Sequence, residues 1–346
     1  MKALVYRGPG RPSWTDVPTP ELQDPEDAIV RVDAVTICGT DLHILKGDLP
    51  EVEPGRVLGH EAVGTIVEVG AGVRSLRAGT RVLISCISGC GRCRFCRLGS
   101  YGQCIAGGGW ILGHLIDGTQ AEFVRVPFAE TSLHALPDRV SDGAALMLAD
   151  ILPTAYEVGV LNGRVAPGDT VVVVGTGPIG LAAITTARLF SPSHIIAVDL
   201  SAARLDAAKR FGADVTVLAT ANPEEVVAEV TAGLGADVVI EAVGEPETFE
   251  LCGRLVRAGG HIASVGVFGK PAILHLENLW IKNITITTGL VDTSSTPKLL
   301  QMLADGRIDT QPLITHQLRL DEMLNAYDLF ADAGANGALK IVLTRS

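Results

Sequence analysis

The sequence predicts an α/β protein of two domains, one of them built on a doubly wound parallel sheet. Three observations support this fold class. The 346 residues exceed the size of one ordinary hydrophobic core. Short strand-like segments fill the chain up to about residue 150, and after it strand-like and helical segments alternate. A hydrophobic content of 47% with 39 glycines suits a well-buried α/β protein with many tight turns.

The first part of the chain is predicted to be mainly β-structure, arranged as a partly open barrel. Its segments are short, alternate apolar with polar residues, and are separated by turns. We predict strands at Lys2–Tyr6, Ala28–Ile37, Glu61–Val69, Arg81–Ser85 and Ala121–Val126.

The second part is predicted to form the parallel sheet, because its short, apolar, mostly β-branched runs suit strands buried on both faces. These runs are Val171–Val174, Ile195–Val198, Val238–Ile240 and Ile262–Val265, with helices predicted at Ile179–Phe190, Ala202–Phe211 and Pro223–Thr231. Two further helices, Lys298–Asp305 and Asp321–Ala331, precede a last strand, Lys340–Thr344. We therefore predict one domain from residues 1–150 with 291–346, and the sheet domain from residues 151–290.

Charge and hydropathy exclude two classes of partner. A net charge of -11 argues against nucleic acid. The longest apolar run, Thr170–Phe190, is long enough to raise the question of a membrane span, but Gly175 to Pro178 interrupt any single helix there. With no N-terminal targeting segment visible, we expect a soluble, cytoplasmic protein.

Four of the seven cysteines lie within 15 positions and predict a structural zinc site. Cys90, Cys93, Cys96 and Cys104 have the spacing C-x2-C-x2-C-x7-C, and four thiolates so close in sequence can converge on one tetrahedral zinc ion. A pair of disulfides or four unrelated buried thiols are the alternatives. Disulfides are disfavoured because cytosolic thiols stay reduced.

A glycine motif between a predicted strand and a predicted helix indicates a dinucleotide site. The sequence from Gly175 to Gly180 reads G-T-G-P-I-G, which places Gly175, Gly177, Pro178, Ile179 and Gly180 at the cofactor. Asp199 ends the next strand, where a carboxylate binds the adenosine ribose diol and repels a 2′-phosphate. We therefore predict NAD rather than NADP, while Arg204, five residues later, is also assigned to the cofactor and favours the opposite choice.

A second set of candidate ligands lies nearer the N-terminus. The segment from Thr36 to His43 contains Cys38, and Gly59-His60-Glu61 begins the pattern G-H-E-x2-G-x5-G-x2-V. Together with the glycine motif and the cysteine lobe, this order resembles the zinc-dependent medium-chain alcohol dehydrogenases from Lys2 to the C-terminal strand. The resemblance implies a GroES-like catalytic domain with the structural-zinc lobe, and a Rossmann cofactor domain.

The resemblance also implies roles at the catalytic zinc. Cys38 and His60 match two ligands, and Asp150 matches the third in a bacterial secondary-alcohol branch of the family. Glu61 matches a carboxylate that joins or approaches the metal. Thr40 matches the hydroxyl that receives the alcohol proton, or else caps a turn, and His43 would be the next member of the relay, or else is a surface residue. Asp41 would accept the ring N–H of His60.

Three more assignments follow from the resemblance, each with a plain structural alternative. Thr154 matches a residue near the nicotinamide, or else caps a helix. Trp110 matches a residue lining the substrate pocket, or else belongs to the core. Lys340 matches a basic residue on the cofactor pyrophosphate, or else is a strand-end lysine with an exposed tip.

The implied enzyme carries two zinc ions per chain and transfers a hydride reversibly between a small primary or secondary alcohol and NAD, giving an aldehyde or a ketone. A homo-oligomer is implied, with a tetramer favoured over a dimer. Polyol, threonine and formaldehyde dehydrogenases of the same family share almost every sequence feature described above and are the alternative activities. A zinc-free quinone or enone reductase would lack the ligand set, and a non-catalytic redox sensor would bind zinc and NAD without turnover.

Overall fold

The computed structural model describes residues 1–345. The chain divides into two compact units, Met1–Asp150 together with Asp292–Ser346, and Ile151–Val291. Across residues 1–345, no helix combines the length and apolar character that a membrane span requires.

The strands are, in chain order, β1 Lys2–Tyr6, β2 Pro12–Asp16, β3 Ala28–Thr36, β4 Ala62–Val69, β5 Arg81–Ile84, β6 Phe123–Val126, β7 Leu133–Ala135, β8 Thr170–Val174, β9 His194–Asp199, β10 Val215–Leu218, β11 Ala236–Glu241, β12 Val256–Ser264, β13 Thr285–Thr288, β14 Ile314–Arg319 and β15 Lys340–Thr344.

The α-helices are α1 Gly39–Lys46, α2 Ala129–Ser132, α3 Asp142–Leu146, α4 Ile151–Thr154, α5 Pro178–Ala187, α6 Ala202–Phe211, α7 Pro223–Val230, α8 Pro246–Leu255, α9 Leu276–Leu279, α10 Thr296–Ala304, α11 Met323–Ala331 and α12 Ala333–Asn336. A π-helical segment spans Ala155–Leu161. Single 3-10 turns lie at Cys96–Leu98, Tyr101–Gln103, Arg188–Phe190, Trp280–Lys282, Gln311–Leu313 and Leu320–Glu322.

The first unit is mainly β-structure, as the sequence predicts. Its seven-stranded sheet has the order β14-β15-β3-β4-β5-β7, with β6 paired to β3. All its pairings are antiparallel except that of β14 with β15. Strand β3 is central because it pairs with β4, β6 and β15, so the C-terminal strand lies beside the N-terminal sheet. Apolar side chains of β3, β4 and β5 form the core, among them Val30, Val35, Ile66 and Val82.

The second unit contains a six-stranded parallel sheet with the order β10-β9-β8-β11-β12-β13. Within the unit this is the order 3-2-1-4-5-6, that of the doubly wound dinucleotide-binding fold. The two units together confirm the predicted fold class. Strands β10 and β13, at the two edges of this sheet, were not predicted, because their half-buried residues show no continuous apolar run.

Candidate functional site

The four cysteines of the lobe converge as the spacing predicts. One ligand atom from each of Cys90, Cys93, Cys96 and Cys104 lies within 4.8 Å of the other three. The Cys90 and Cys96 sulfurs are 3.8 Å apart, too far for a disulfide. That spacing fits a tetrahedral zinc ion, since Zn–S bonds of about 2.3 Å place neighbouring sulfurs about 3.8 Å apart. All seven cysteines of residues 1–345 are free thiols, which speaks against the disulfide alternative.

Backbone N–H groups point at the sulfurs of this lobe. The Cys93 N–H donates to Cys90 Sγ at 3.3 Å, and the Cys96 N–H donates to Cys93 Sγ at 3.5 Å. N–H donors from Cys96 and Ile105 lower the pKa of Cys93 to about 6, whereas burial raises the pKa of Cys96 to about 12. A bound zinc ion deprotonates coordinating thiols outright, so the lobe is suited to a cation that holds all four as thiolates.

The second cluster brings together Cys38, His60, Glu61 and Asp150, all within the first unit. Their ligand atoms lie within 4.8 Å of one another. Cys38 is the N-cap of α1, His60 and Glu61 directly precede β4, and Asp150 is the last residue before the second unit. Residues far apart in sequence therefore meet where β3 and β4 are paired.

Three of these residues form a close triangle. His60 Nε2 lies 3.4 Å from Asp150 Oδ2, which in turn lies 3.7 Å from Cys38 Sγ. The His60 side chain is 4% exposed and that of Asp150 is 15% exposed. A thiolate, an imidazole and a carboxylate are all common zinc ligands, and three protein ligands leave one position open, as catalytic zinc sites require.

The protonation of this cluster also fits a cation. Burial raises the pKa of the Cys38 thiol. Burial lowers the pKa of His60, but the hydrogen bonds to Asp150 and Cys38 outweigh it and hold that pKa well above its usual value. Both shifts favour the protonated forms of Cys38 and His60 in the metal-free site, and binding of a metal ion would displace those protons.

Asp41 presents a buried acceptor to the ring of His60. Its Oδ1 lies 3.9 Å from His60 Nδ1 and has no hydrogen-bond partner within residues 1–345. Its Oδ2 accepts from the Cys38 N–H at 2.9 Å and from Gln120 Nε2 at 3.0 Å. Gln120 Oε1 in turn accepts from the Tyr327 hydroxyl at 2.7 Å. This buried chain fixes the carboxylate where a metal-bound histidine needs its second hydrogen bond.

Sequence analysis missed Gln120 and Tyr327. They lie 79 and 207 residues away from their partners, and no local motif marks either of them. Placing them would have required knowing how β3, β4 and the C-terminal helices and strands pack and pair with one another.

Lys340 is buried in the first unit, where it is paired with Glu61. It is 1% exposed, and its Nζ lies 2.8 and 2.9 Å from the two carboxylate oxygens of Glu61 and 3.1 Å from the Ile37 carbonyl oxygen. Burial lowers the pKa of Lys340, but Glu61 and Cys38 outweigh it and raise that pKa above its usual value, so the ammonium stays charged. The alternative of a strand-end lysine with an exposed tip is therefore wrong, whereas the contact with a cofactor pyrophosphate stays a prediction.

Trp110 lies beside the metal cluster. Its ring meets the His60 ring edge-on, with centroids 6.1 Å apart and an interplanar angle of 78°. On its other side it stacks on His114 at 4.2 Å. The His114 Nδ1–H donates to the Trp110 carbonyl at 3.0 Å. His114, another residue that sequence analysis missed, therefore supports the ring that the sequence assigned to the substrate pocket.

The two predicted relay residues lie on α1 or at its start. Thr40 Oγ1 is 3.6 Å from Cys38 Sγ, next to the cluster. His43 is partly exposed, and its Nδ1 lies 2.8 Å from Asp48 Oδ2.

The glycine motif lies in the second unit, between β8 and α5. Gly175 has a φ of +92°, which favours glycine. A Cβ at Gly180 would lie 1.9 Å from the Gly175 carbonyl oxygen, so a larger residue could not keep this helix against the strand. Gly177 is the N-cap of α5, Pro178 is its first residue and Ile179 its second. The N–H groups of this helix end are therefore free for an anion.

Asp199 ends β9 beside this turn. Its Oδ2 accepts from the Thr176 N–H at 2.7 Å and from the Thr176 hydroxyl at 2.9 Å, and its Oδ1 accepts from the Ser201 N–H at 2.9 Å. Thr176, which sequence analysis left without a role, thus orients the acidic side chain. Arg204 lies in the first turn of α6, where its N–H donates to Ser201 Oγ.

Thr154 and the two cysteines outside the clusters remain to be placed. Thr154 is the last residue of α4, in the second unit. Cys86 and Cys252 are buried, at 3% and 0% exposure, and neither belongs to one of the two four-residue clusters.

Comparison with known proteins agrees with this geometry. Residues 24–138 match the family described as alcohol dehydrogenase GroES-like domain, and residues 178–305 match the family described as zinc-binding dehydrogenase. An alcohol dehydrogenase from Cupriavidus necator is 40% identical, with 99% of this chain and 98% of that protein covered.

Solved structures give the same result. A zinc-dependent alcohol dehydrogenase from Streptococcus pneumoniae, in its apo form, is 45% identical with a TM-score of 0.96, covering 100% of this chain and 99% of the other. An alcohol dehydrogenase from Thermus sp. ATN1 is 38% identical with a TM-score of 0.93, covering 100% of both chains. On this evidence the chain belongs to the family of zinc-dependent medium-chain alcohol dehydrogenases.

Proposed function

We propose that this protein is a zinc-dependent alcohol dehydrogenase that transfers a hydride reversibly between a small primary or secondary alcohol and NAD. The observation that carries the proposal is the buried cluster of Cys38, His60 and Asp150 with the unpaired Asp41 oxygen behind His60. When bound there, zinc supplies a Lewis acid that polarises the substrate oxygen, and NAD supplies the hydride acceptor.

The residues of the chain bind the metal, orient its histidine ligand and move the proton of the alcohol. Cys38, His60 and Asp150 hold the metal, and Asp41 keeps the His60 ring in one tautomer. Thr40 Oγ1, beside Cys38, receives the hydroxyl proton of the alcohol. His43, paired with Asp48, passes it to solvent.

Trp110 and the lobe have separate tasks. Trp110, supported by His114, forms an apolar wall of the substrate pocket. The four cysteines bind a second, structural zinc ion, whose binding free energy adds to the free energy of folding.

The glycine motif and Asp199 carry the preference for NAD. The N-terminal end of α5 takes the pyrophosphate, and Asp199 takes the ribose diol while repelling a 2′-phosphate. The Thr176 contacts support this assignment, because they orient the carboxylate at the end of β9. Thr154 near the nicotinamide and a homo-oligomeric state with a tetramer favoured remain part of the proposal on the family resemblance alone. The cytoplasmic location remains part of it on the sequence alone.

The test is a substrate panel with each cofactor. We expect oxidation of small alcohols with a higher kcat/KM for NAD than for NADP, and two zinc ions per chain by metal analysis. His60→Ala should abolish turnover while NAD binding, measured by calorimetry, stays nearly intact. Preference for polyols, threonine or formaldehyde would reassign the substrate within the family. Zinc and NAD binding without turnover on any alcohol or aldehyde would contradict the proposal and favour a redox sensor.

A further inference from the structure

Cys86 is a buried thiol beside the metal cluster, and the proposed chemistry gives it no task. It is 3% exposed and belongs to neither group of four ligands. A buried free thiol usually behaves as a small apolar side chain that fills space. The sulfur of Cys86, however, interacts with Asp150, Glu61 and Cys38, which all belong to the cluster. Packing alone therefore does not describe its surroundings.

The pairing of β4 with β5 places Cys86 at the metal site. The two strands are antiparallel, and Ala62 is opposite Ile84 where β4 begins and β5 ends. His60 lies two residues before this point in β4, and Cys86 lies two residues after it in β5. The same alignment, continued beyond the strands, therefore brings the thiol to the segment that carries the histidine ligand.

Cys86 is bound to the segment of Asp150 by two hydrogen bonds. Its N–H donates to the Ala149 carbonyl oxygen at 3.0 Å. Its thiol is hydrogen-bonded to the Asp150 carboxylate, and burial, followed by the charge of that carboxylate, raises the pKa of Cys86 well above its usual value. The sulfur therefore keeps its proton and donates the hydrogen bond. One residue thus holds two consecutive residues of the ligand segment, one by its backbone and one by its side chain.

A carboxylate that binds a metal benefits from such a donor. Asp150 Oδ2 faces the other two ligands, at 3.4 Å from His60 Nε2 and 3.7 Å from Cys38 Sγ. Carboxylate ligands in metal sites are in turn hydrogen-bonded, which fixes their orientation. A carboxylate without this support must be ordered when the metal binds, and the ordering reduces the binding free energy.

We propose that Cys86 is a positioning residue whose S–H group holds the Asp150 carboxylate in the orientation in which it binds the catalytic metal. This inference rests on the proposed function, since it takes the Cys38 cluster as the catalytic metal site. Cys86 is not assigned as a ligand itself, because its sulfur is not among the ligand atoms that lie within 4.8 Å of one another.

The test compares three replacements of Cys86 that separate its hydrogen bond from its volume. Cys86→Ala removes both, Cys86→Val removes the donor but fills the space, and Cys86→Ser keeps a donor. Zinc is titrated into the metal-free protein in competition with a chromophoric chelator. We expect Cys86→Ala and Cys86→Val to lower the zinc affinity of the Cys38 site by about tenfold, at the lower end of the effect of such partners because a thiol is a weak donor. Cys86→Ser should bind zinc as the unmodified protein does, because a hydroxyl also donates.

Three controls accompany these variants. The four-cysteine lobe binds its own zinc ion, and its affinity should be the same in every variant. Cys252 is a matched thiol, 0% exposed, in the second unit and in neither cluster, so Cys252→Ala should leave the Cys38 site unchanged. In an Asp150→Cys background no carboxylate remains to accept the hydrogen bond, so adding Cys86→Ala should not lower the zinc affinity further.

Three results would overturn the inference. One is a zinc affinity at the Cys38 site that is the same in Cys86→Ala as in the unmodified protein. Another is a loss in Cys86→Ala with none in Cys86→Val, which would show that the residue acts by filling space. The third is a loss in Cys86→Ser as large as that in Cys86→Ala.

Folding and turnover are measured separately from zinc affinity. If circular dichroism shows that neither Cys86→Ala nor Cys86→Val folds, the thiol serves folding and the inference is overturned as well. An unmodified protein that oxidises no alcohol would contradict the proposed function, while the zinc affinities of the variants would still decide this inference.

Discussion

Replacing Asp41 by Asn tests whether the buried chain behind His60 tunes the metal site. Asp41 Oδ2 already accepts two hydrogen bonds, from the Cys38 N–H and from Gln120, and Oδ1 faces His60 Nδ1 at 3.9 Å. An asparagine must keep its oxygen toward the two donors, so its NH2 group turns toward His60. That NH2 group cannot accept the His60 Nδ1–H.

At 3.9 Å Oδ1 makes no hydrogen bond in the metal-free structure, so the expected loss concerns the bond that it would form to His60 once the metal is bound. Removing an outer hydrogen bond from a metal-bound histidine costs about 10- to 100-fold in metal affinity. That factor corresponds to about 1.4 to 2.7 kcal/mol. We expect a loss of this size at the Cys38 site and none at the cysteine lobe, which serves as an internal control.

The assay is competition for zinc with a chromophoric chelator, which resolves two classes of site in one titration. Gln120→Leu provides a second variant, since it removes the donor to Asp41 and the acceptor of Tyr327 together. A zinc affinity at the Cys38 site that is the same in Asp41→Asn as in the unmodified protein, with unchanged folding, would refute the role given to this buried chain of hydrogen bonds.

Three further predictions concern the cysteine lobe, the cofactor preference and the decrease in folding stability at acid pH. In the metal-free protein, the alkylation rate of Cys93 should rise through pH 6 and level off above it, while Cys96 stays unreactive. Mass spectrometry can measure both rates, and equal alkylation rates of Cys93 and Cys96 at pH 7 would contradict this prediction. Asp199→Gly should narrow or reverse the preference for NAD, measured as the ratio of kcat/KM values, and an unchanged ratio would count against Asp199. Burial lowers the pKa of His134 from 6.5 to about 4, so as the pH falls the unfolded chain takes up this proton before the folded protein does. The free energy of unfolding should therefore decrease as the pH drops from 6.5 towards 4, by up to about 3 kcal/mol. The variant His134→Leu should show a weaker pH dependence of this free energy in urea titrations.

Local motifs made much of the site predictable. The cysteine spacing and the G-x-G-x-x-G turn lie within short stretches of chain, so chain connectivity alone brings their residues together. The strands that were predicted carry continuous apolar or alternating patterns, whereas the edge strand β13 reads Thr285-Ile286-Thr287-Thr288 and gives no such signal.

Contacts made through sheet pairing were not predictable. Lys340 contacts Glu61 because β15 pairs with β3 and β3 pairs with β4. These pairings bring two residues that are 279 positions apart in the sequence to one place. Sequence reasoning could identify Lys340 as a residue of interest, but without the strand register it could not predict that the ammonium contacts Glu61.

Strand register also hides the supporting residues. Thr176 reaches Asp199 because β8 and β9 are parallel neighbours, which places the end of one strand beside the turn that follows the other. Such partners become visible only once the order of the sheet is known.

The most direct test of the central claim is the anomalous signal at the zinc absorption edge in a crystal of the metal-loaded protein. We expect two peaks per chain, one among the four lobe sulfurs and one bound by Cys38, His60 and Asp150, with Zn–S bonds of about 2.3 Å and a Zn–N bond of about 2.0 Å. The absence of a peak at Cys38, His60 and Asp150 would contradict the account.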